Sequence, residues 1–186
     1  MHLRNSVAVL LALASTRAGA AQIDHINFRH EGTHYRVDMS VHLDAPAPRA
    51  FAVFADPAQL REINPAVRVA TRVDAETTQN RLYTEVHLCV VLFCHTLRQV
   101  QNMHYEPATD GGHMSADVLP ERSDLRYGHA EWTFVGDAHA TQLHFSMDIE
   151  PAFWMPPVIG PWLIEHSLRE QAARTSAGIE RLANAS

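Results

Sequence analysis

The sequence predicts an α+β fold: a strongly curved, seven-stranded antiparallel sheet around one long C-terminal helix, with two short helices after the first strand. Three observations carry this. From Val67 onward, strand-like segments follow one another with short turns between them, the pattern of an antiparallel meander. Before them lie two helix-length segments, each stopped by a proline. At the C-terminus, from Trp162 to Ala183, residues Ile164, Leu168, Ala172, Thr175, Ile179 and Leu182 recur at helical spacing, a stripe about five turns long. A sheet with one apolar face and a helix with one apolar stripe bury both by packing together.

The N-terminal region carries a different signal. Met1 to Arg4 includes a positive charge, Val7 to Ala14 is an apolar run too short to span a bilayer, and small residues follow to Ala21. That is the pattern of a secretory leader, residues 1–21, removed after Ala20 or one residue later. Export, together with a chain whose 15 basic residues are all arginine, points to the bacterial periplasm. Loss of Arg4 and Arg17 takes the formal charge from −6 to −8. With no basic run, nucleic acid is excluded as a partner.

Gln22 to His34 is polar and mixed, and reads as an N-terminal extension. Within it, His30-Glu31-Gly32-Thr33-His34 matches H-E-x-x-H, but that zinc pattern needs a helix, and Gly32 and Thr33 disfavour one. A solvated linker is expected, with no metal and no cofactor. Tyr35 to Leu43 then alternates, placing Tyr35, Val37, Met39, Val41 and Leu43 on one face, as a half-buried strand does. Pro48 to Asp56 and Ala58 to Asn64 read as short helices. Strands are expected at Val67 to Val73, in two arms around the cysteines, and at His113 to Leu119, His129 to Val135 and Thr141 to Ile149.

Arg81 to Gln101 contains no Gly, Pro, Asn or Asp. Arg81 to Glu106 as one strand would run to roughly 80 Å at about 3.3 Å per residue, several times the usual length, so it must fold back. If Val90, Val91, Leu92 and Phe93 form a four-residue loop, Cys89 and Cys94 face each other on paired strands, where a disulfide can join them. The alternative is a bulged strand with two buried free thiols.

Tyr35 to Val67, YRVDMSVHLDAPAPRAFAVFADPAQLREINPAV, resembles the opening of the START-like, Bet v 1-like (SRPBCC, polyketide cyclase/dehydrase and lipid transport) superfamily. A strand, a Pro after an Ala-rich turn, paired short helices and Asn-Pro before the second strand correspond in place. The resemblance covers residues 35–184, taken as one domain. It implies a helix-grip fold with a cavity between sheet and helix, and leaves the activity open.

Alternation assigns the inward faces. Met39, Val86, Leu88, Met114, Val118, Trp132, Phe134, Phe145 and Met147, with Ile164 and Leu168 from the helix, form an apolar lining in which Gln101 and the Tyr105 hydroxyl supply hydrogen bonds. Thr84 and Gln99 are further polar positions on that side. The same residues could instead fill a solid core; the resemblance favours a pocket. The acid and base candidates His104, Glu131, His144, Asp148 and Glu150 fall on the outward face, so no catalytic residue is assigned.

In the resembling fold, the cysteine hairpin tip and the loop before the last helix share one end. Val91, Leu92, Phe93, Phe153, Trp154, Met155 and Trp162 would then form an apolar rim that something must cover: a bilayer, a homodimer partner, or the two loops packing on each other. The resulting expectation is a carrier of a hydrophobic small molecule or lipid that touches a membrane through its rim. A cyclase/dehydratase-type enzyme on a hydrophobic polyketide-like substrate is the alternative, and a ligandless interaction module a further one.

Overall fold

The computed structural model describes residues 21–74, 80–90, 92–154 and 160–185. The expected leader up to Ala20, together with Val91 and Met155, lies outside the described residues, and only the backbone of Val90 and Phe93 is described. The elements are β1 (Gln22–Glu31), β2 (His34–Leu43), α1 (Ala47–Ala55), α2 (Leu60–Ile63), β3 (Val67–Val73), β4 (Arg81–Val90), β5 (Phe93–Ala108), β6 (Gly111–Val118), β7 (Leu125–Gly136), β8 (Thr141–Pro151) and α3 (Gly160–Ala183). A 3-10 turn at Pro120–Arg122 precedes β7. The strands form one antiparallel sheet in the order β1-β2-β8-β7-β6-β5-β4-β3.

The sheet therefore has eight strands, not seven. The additional strand is β1, formed by residues expected to be a polar linker. It pairs with β2 from Gln22↔His42 to Glu31↔His34, and a register shift between Ile23 and His25 inserts one extra residue. That bulge spaces the core-facing Ile23, Ile26 and Phe28 by three and then two positions, which hides the period of two from a reading of the sequence. The H-E-x-x-H residues make the β1–β2 connection: Gly32, at φ +64°, and Thr33 form the turn, and His34 opens β2. On strands the two histidines lack the shared helical face that the zinc pattern needs.

β2 alternates as its sequence requires, with Tyr35, Val37, Met39, Val41 and Leu43 all buried. α2 is shorter than the expected Ala58 to Asn64. Asp56 accepts the Ala58 N–H at 3.0 Å, an Asx turn that competes with the first helical turn. Cys89 and Cys94 are directly paired and disulfide-bonded. The ladder continues one pair beyond them, through Val90↔Phe93, so the connection is tighter than the expected four-residue loop.

β5 explains the shape of one end of the molecule. Residues 93–102 pair with β4, whereas β6 pairs only with residues 101–108. The hairpin therefore projects past β6. Its free edge is held by residues 119–124: Leu119 N–H donates to Val100 O, Asp124 N–H to Arg98 O, Arg98 N–H to an Asp124 carboxylate oxygen, and Val100 N–H to Ser123 Oγ. Asp124 O in turn accepts the Ala152 N–H at 2.9 Å, which ties in the chain entering the loop before α3.

Candidate functional site

Two adjoining cavities lie between the concave face of the sheet and α3. The inner one, about 300 Å³, is bounded by β2, β4 to β8, α2 and the middle of α3. The outer one, about 410 Å³, lies under the projecting hairpin, with Phe153, Trp154 and the first turns of α3 across from it. Leu88, Leu97, Gln99, Met147, Ile149 and Leu168 belong to both walls. Both volumes fall in the range of small-molecule sites.

Most of the expected lining lies at these cavities. Met39, Val86, Gln101, Val118, Trp132 and Phe145 border the inner one, Ile164 the outer, and Leu88, Met147 and Leu168 both. Three residues are placed otherwise. Met114 and Phe134, each 1% exposed, are in solid core, Phe134 among the rings of Phe51 and Phe54 at 6.0 and 5.8 Å. Tyr105 borders a separate space of about 80 Å³ with Leu82 and Met103, and burial pushes its hydroxyl pKa up. Alternation gives the face of each of these three correctly; α1 and its neighbours fill the space above them.

Sequence reasoning missed His95, Leu97, Leu125 and Leu163 in the walls, and Asn64 and Gln171 at the inner end. The signal for two of them was present. Leu88 pairs with His95 and Val86 with Leu97, so the inward face assigned to β4 dictates the same face for its partners. The His95 ring packs at 4.1 Å, tilted by 35°, against Phe153, which is also part of the wall. Leu92, Trp154 and Trp162 are instead 90%, 78% and 53% exposed.

Among the described residues, the walls of the two larger cavities carry no Asp, Glu or Arg. Several acidic and basic groups of the sheet are on its convex face. Asp148 accepts from His34 Nδ1 at 2.8 Å and Arg36 Nε at 2.9 Å; burial opposes its ionisation, yet these two bonds hold its pKa below the usual carboxylate value. Arg36 continues to Glu31 at 2.7 Å. His129 borders the inner cavity, but its nitrogens face Asp117 (2.7 Å) and Glu131 (3.3 Å), and the Asp117 hydrogen bond leads in raising its pKa. His104 and His144 are exposed. Among the described residues His87, Cys89 and Cys94 bring candidate ligand atoms within 4.8 Å, but sulfurs joined in a disulfide are not thiolates and cannot ligate as such.

The family described as polyketide cyclase / dehydrase and lipid transport matches residues 34–185, everything from β2 to the end of α3. Solved structures share the architecture. The Zhui aromatase/cyclase from Streptomyces sp. R1128 superposes with a TM-score of 0.61 at 19% identity, over 81% of this chain and 93% of that one. A START superfamily protein from Mycobacterium smegmatis gives 0.60 at 16%, over 79% and 98%. A STAR-related lipid transfer protein from Xanthomonas axonopodis (fragment 25–204) gives 0.54 at 17%, over 86% and 97%. At these identities the likeness concerns the fold. No curated protein matches the chain.

Proposed function

This chain belongs to the polyketide cyclase / dehydrase and lipid transport family, and on that premise we propose that it is a carrier that encloses a hydrophobic small molecule or lipid and exchanges it at a membrane. The superfamily includes both lipid-binding or transfer proteins and polyketide cyclases. The observation that carries the choice is the pair of cavities walled mainly by hydrocarbon, with no carboxylate or guanidinium at either among the described residues. Such walls desolvate an apolar guest at little cost and offer a reaction no charged group.

Export to the periplasm is part of the proposal, supported by the leader pattern of residues 1–21 and by the disulfide. Leu92, Trp154 and Trp162 support the membrane step. They are large and exposed: Leu92 lies on the hairpin, Trp154 borders the outer chamber, and Trp162 is in the first turn of α3 next to Leu163 of that wall. Solvent extraction of the purified protein followed by mass spectrometry tests the carrier. A bound apolar compound near one per chain is expected; protein that holds none and takes up no added lipid overturns the reading.

One observation favours an enzyme as a second reading. His95 places an imidazole in the outer wall, where it could move a proton on a polyketide-like guest. Turnover of such a substrate by the wild type, lost in His95→Gln with binding retained, would identify that activity.

A further inference from the structure

Polar groups reach the inner cavity from two sides, and only one side is internally satisfied. On the helix side, Asn64 Nδ2 donates to Gln171 Oε1 at 2.8 Å and Thr175 Oγ1 at 3.0 Å, and Asn64 Oδ1 accepts the Ala66 N–H at 3.0 Å. On the sheet side, Thr84 is 5% exposed and its hydroxyl has no partner. Among the described residues it is the one buried side-chain oxygen or nitrogen in that condition. Gln99 stands directly opposite it on β5, and Gln101, 9% exposed, lies two residues farther along the same face. All three line the cavity, and neither glutamine amide bonds another described side chain.

Directly opposite residues on paired strands hold their Cβ atoms about 4.5–5.5 Å apart and diagonal ones about 7–8 Å. A hydroxyl and two primary amides of this reach can converge on one guest atom. Each of the three can both donate and accept, so a guest oxygen satisfies them, whether a carbonyl that accepts or a hydroxyl that does both. That oxygen is uncharged. Among the described residues neither cavity wall carries Arg, the His129 ring is already engaged by Asp117 and Glu131, and His95 packs against Phe153 in the outer chamber. An ionised group placed here would be desolvated without a counter-charge.

We infer, on the premise that the cavity carries an apolar guest, that the sheet side of its inner chamber is a site for a neutral oxygen of that guest, a ketone, ester or hydroxyl held by Thr84, Gln99 and Gln101. The ligands are then uncharged oxygenated hydrocarbons that enter polar end first, and ionised fatty acids are selected against. Thr84 sets this preference at a cost to the unliganded protein, because its hydroxyl is buried unpaired until the guest arrives.

The test is displacement of the neutral dye Nile red at pH 8 by dodecane, 2-dodecanone, 1-dodecanol and dodecanoate. The ketone and the alcohol should bind about tenfold tighter than dodecane or dodecanoate. Thr84→Val and Gln101→Leu should each erase most of that preference, bringing ketone and dodecane to similar affinity, and Thr84→Ser should keep it. Thr84→Val should also raise the thermal midpoint of the unliganded protein by about 2–4 °C. Equal displacement by ketone and dodecane, tightest binding of dodecanoate, a preference that survives in Thr84→Val, or a midpoint that fails to rise each overturns the inference while the carrier reading stands. If no member of the series displaces the dye, the carrier reading falls and takes this inference with it.

Discussion

The C-terminal half of α3 and its N-terminal half meet the rest of the molecule in different ways. At the C-terminal end Ile179 and Ala183 are buried, and Gly178 lies so close to α2 that a Cβ there would fall 2.0 Å from Ile63 O. Glu180 accepts the Asp44 N–H at 3.0 Å, Arg181 donates to Glu62 O at 2.6 Å, and Asn184 donates to Asp44 O at 2.7 Å. At the N-terminal end Leu163, Ile164, Ser167 and Leu168 border cavity. The helix surface there carries Glu165–Arg169 and Glu170–Arg174 pairs at i,i+4, in the favourable acid-first order, worth about 0.3–0.5 kcal/mol each. One end is clamped by packing and by side-chain hydrogen bonds to the backbone of Asp44 and Glu62; the other carries local ion pairs and has room beneath it.

That contrast can be broken first at the clamp. Gly178→Val puts a branched side chain against the Ile63 backbone, and should cost about 3 kcal/mol or more, lowering the thermal midpoint by about 6–12 °C in circular dichroism. A variant as stable as wild type would show that α2 yields easily and that no clamp exists.

At the open end the effect should fall on docking. Leu92→Ser with Trp154→Ser removes two exposed apolar groups, and should weaken binding to phosphatidylcholine vesicles about a hundredfold, roughly 3 kcal/mol, with the thermal midpoint unchanged. Separation of a dimer in ultracentrifugation, with vesicle binding intact, would assign the rim to self-association instead.

Removing the disulfide should give an intermediate result. Cys89→Ser with Cys94→Ser closes no loop beyond a short hairpin, so global stability should drop by about 1–2 kcal/mol. Amide exchange should speed up in β4 and β5 near the tip and stay slow in the C-terminal half of α3. Equal acceleration in both places would mean the two ends unfold as one unit.

The smallest expected effect is electrostatic and lies on the convex face. His129 has a raised pKa in the folded protein, so its contribution is fully present below the ordinary histidine value near 6.5 and is lost as pH rises through the raised value. Its side chain is 36% exposed, and the advantage of wild type over His129→Gln should be about 1 °C or less at pH 6 and absent at pH 9. A growing advantage toward pH 9 would reverse the assignment.

Much of this contrast was legible in the chain. The stripe from Ile164 to Leu182 located α3, alternation in Tyr35 to Leu43 gave β2 and its buried face, and the length of the turnless segment together with Cys89 and Cys94 gave the hairpin and its register. β1 was not legible, because a bulge at Ile23–His25 breaks the period that identifies a strand. His95 and Leu97 were one step of register away from Leu88 and Val86, residues already assigned inward.

By itself, the sequence determined most of the strands and helices and to which side their side chains turn, because those follow from backbone periods acting over a few neighbours; β1, whose period a bulge breaks, is the exception. Only the tertiary structure decided which inward side chains meet others and which border empty space. Phe134 and Trp132 share a face two residues apart, yet Phe134 is enclosed by Phe51 and Phe54 while Trp132 borders the inner cavity. Whether a volume is filled depends on every element that surrounds it, and those elements, α1, α3 and the projecting hairpin, come from distant parts of the chain. Thr84 is the sharpest case: its inward side was readable from parity, whereas its lack of a partner emerged only when β5, α2 and α3 had taken their places around it.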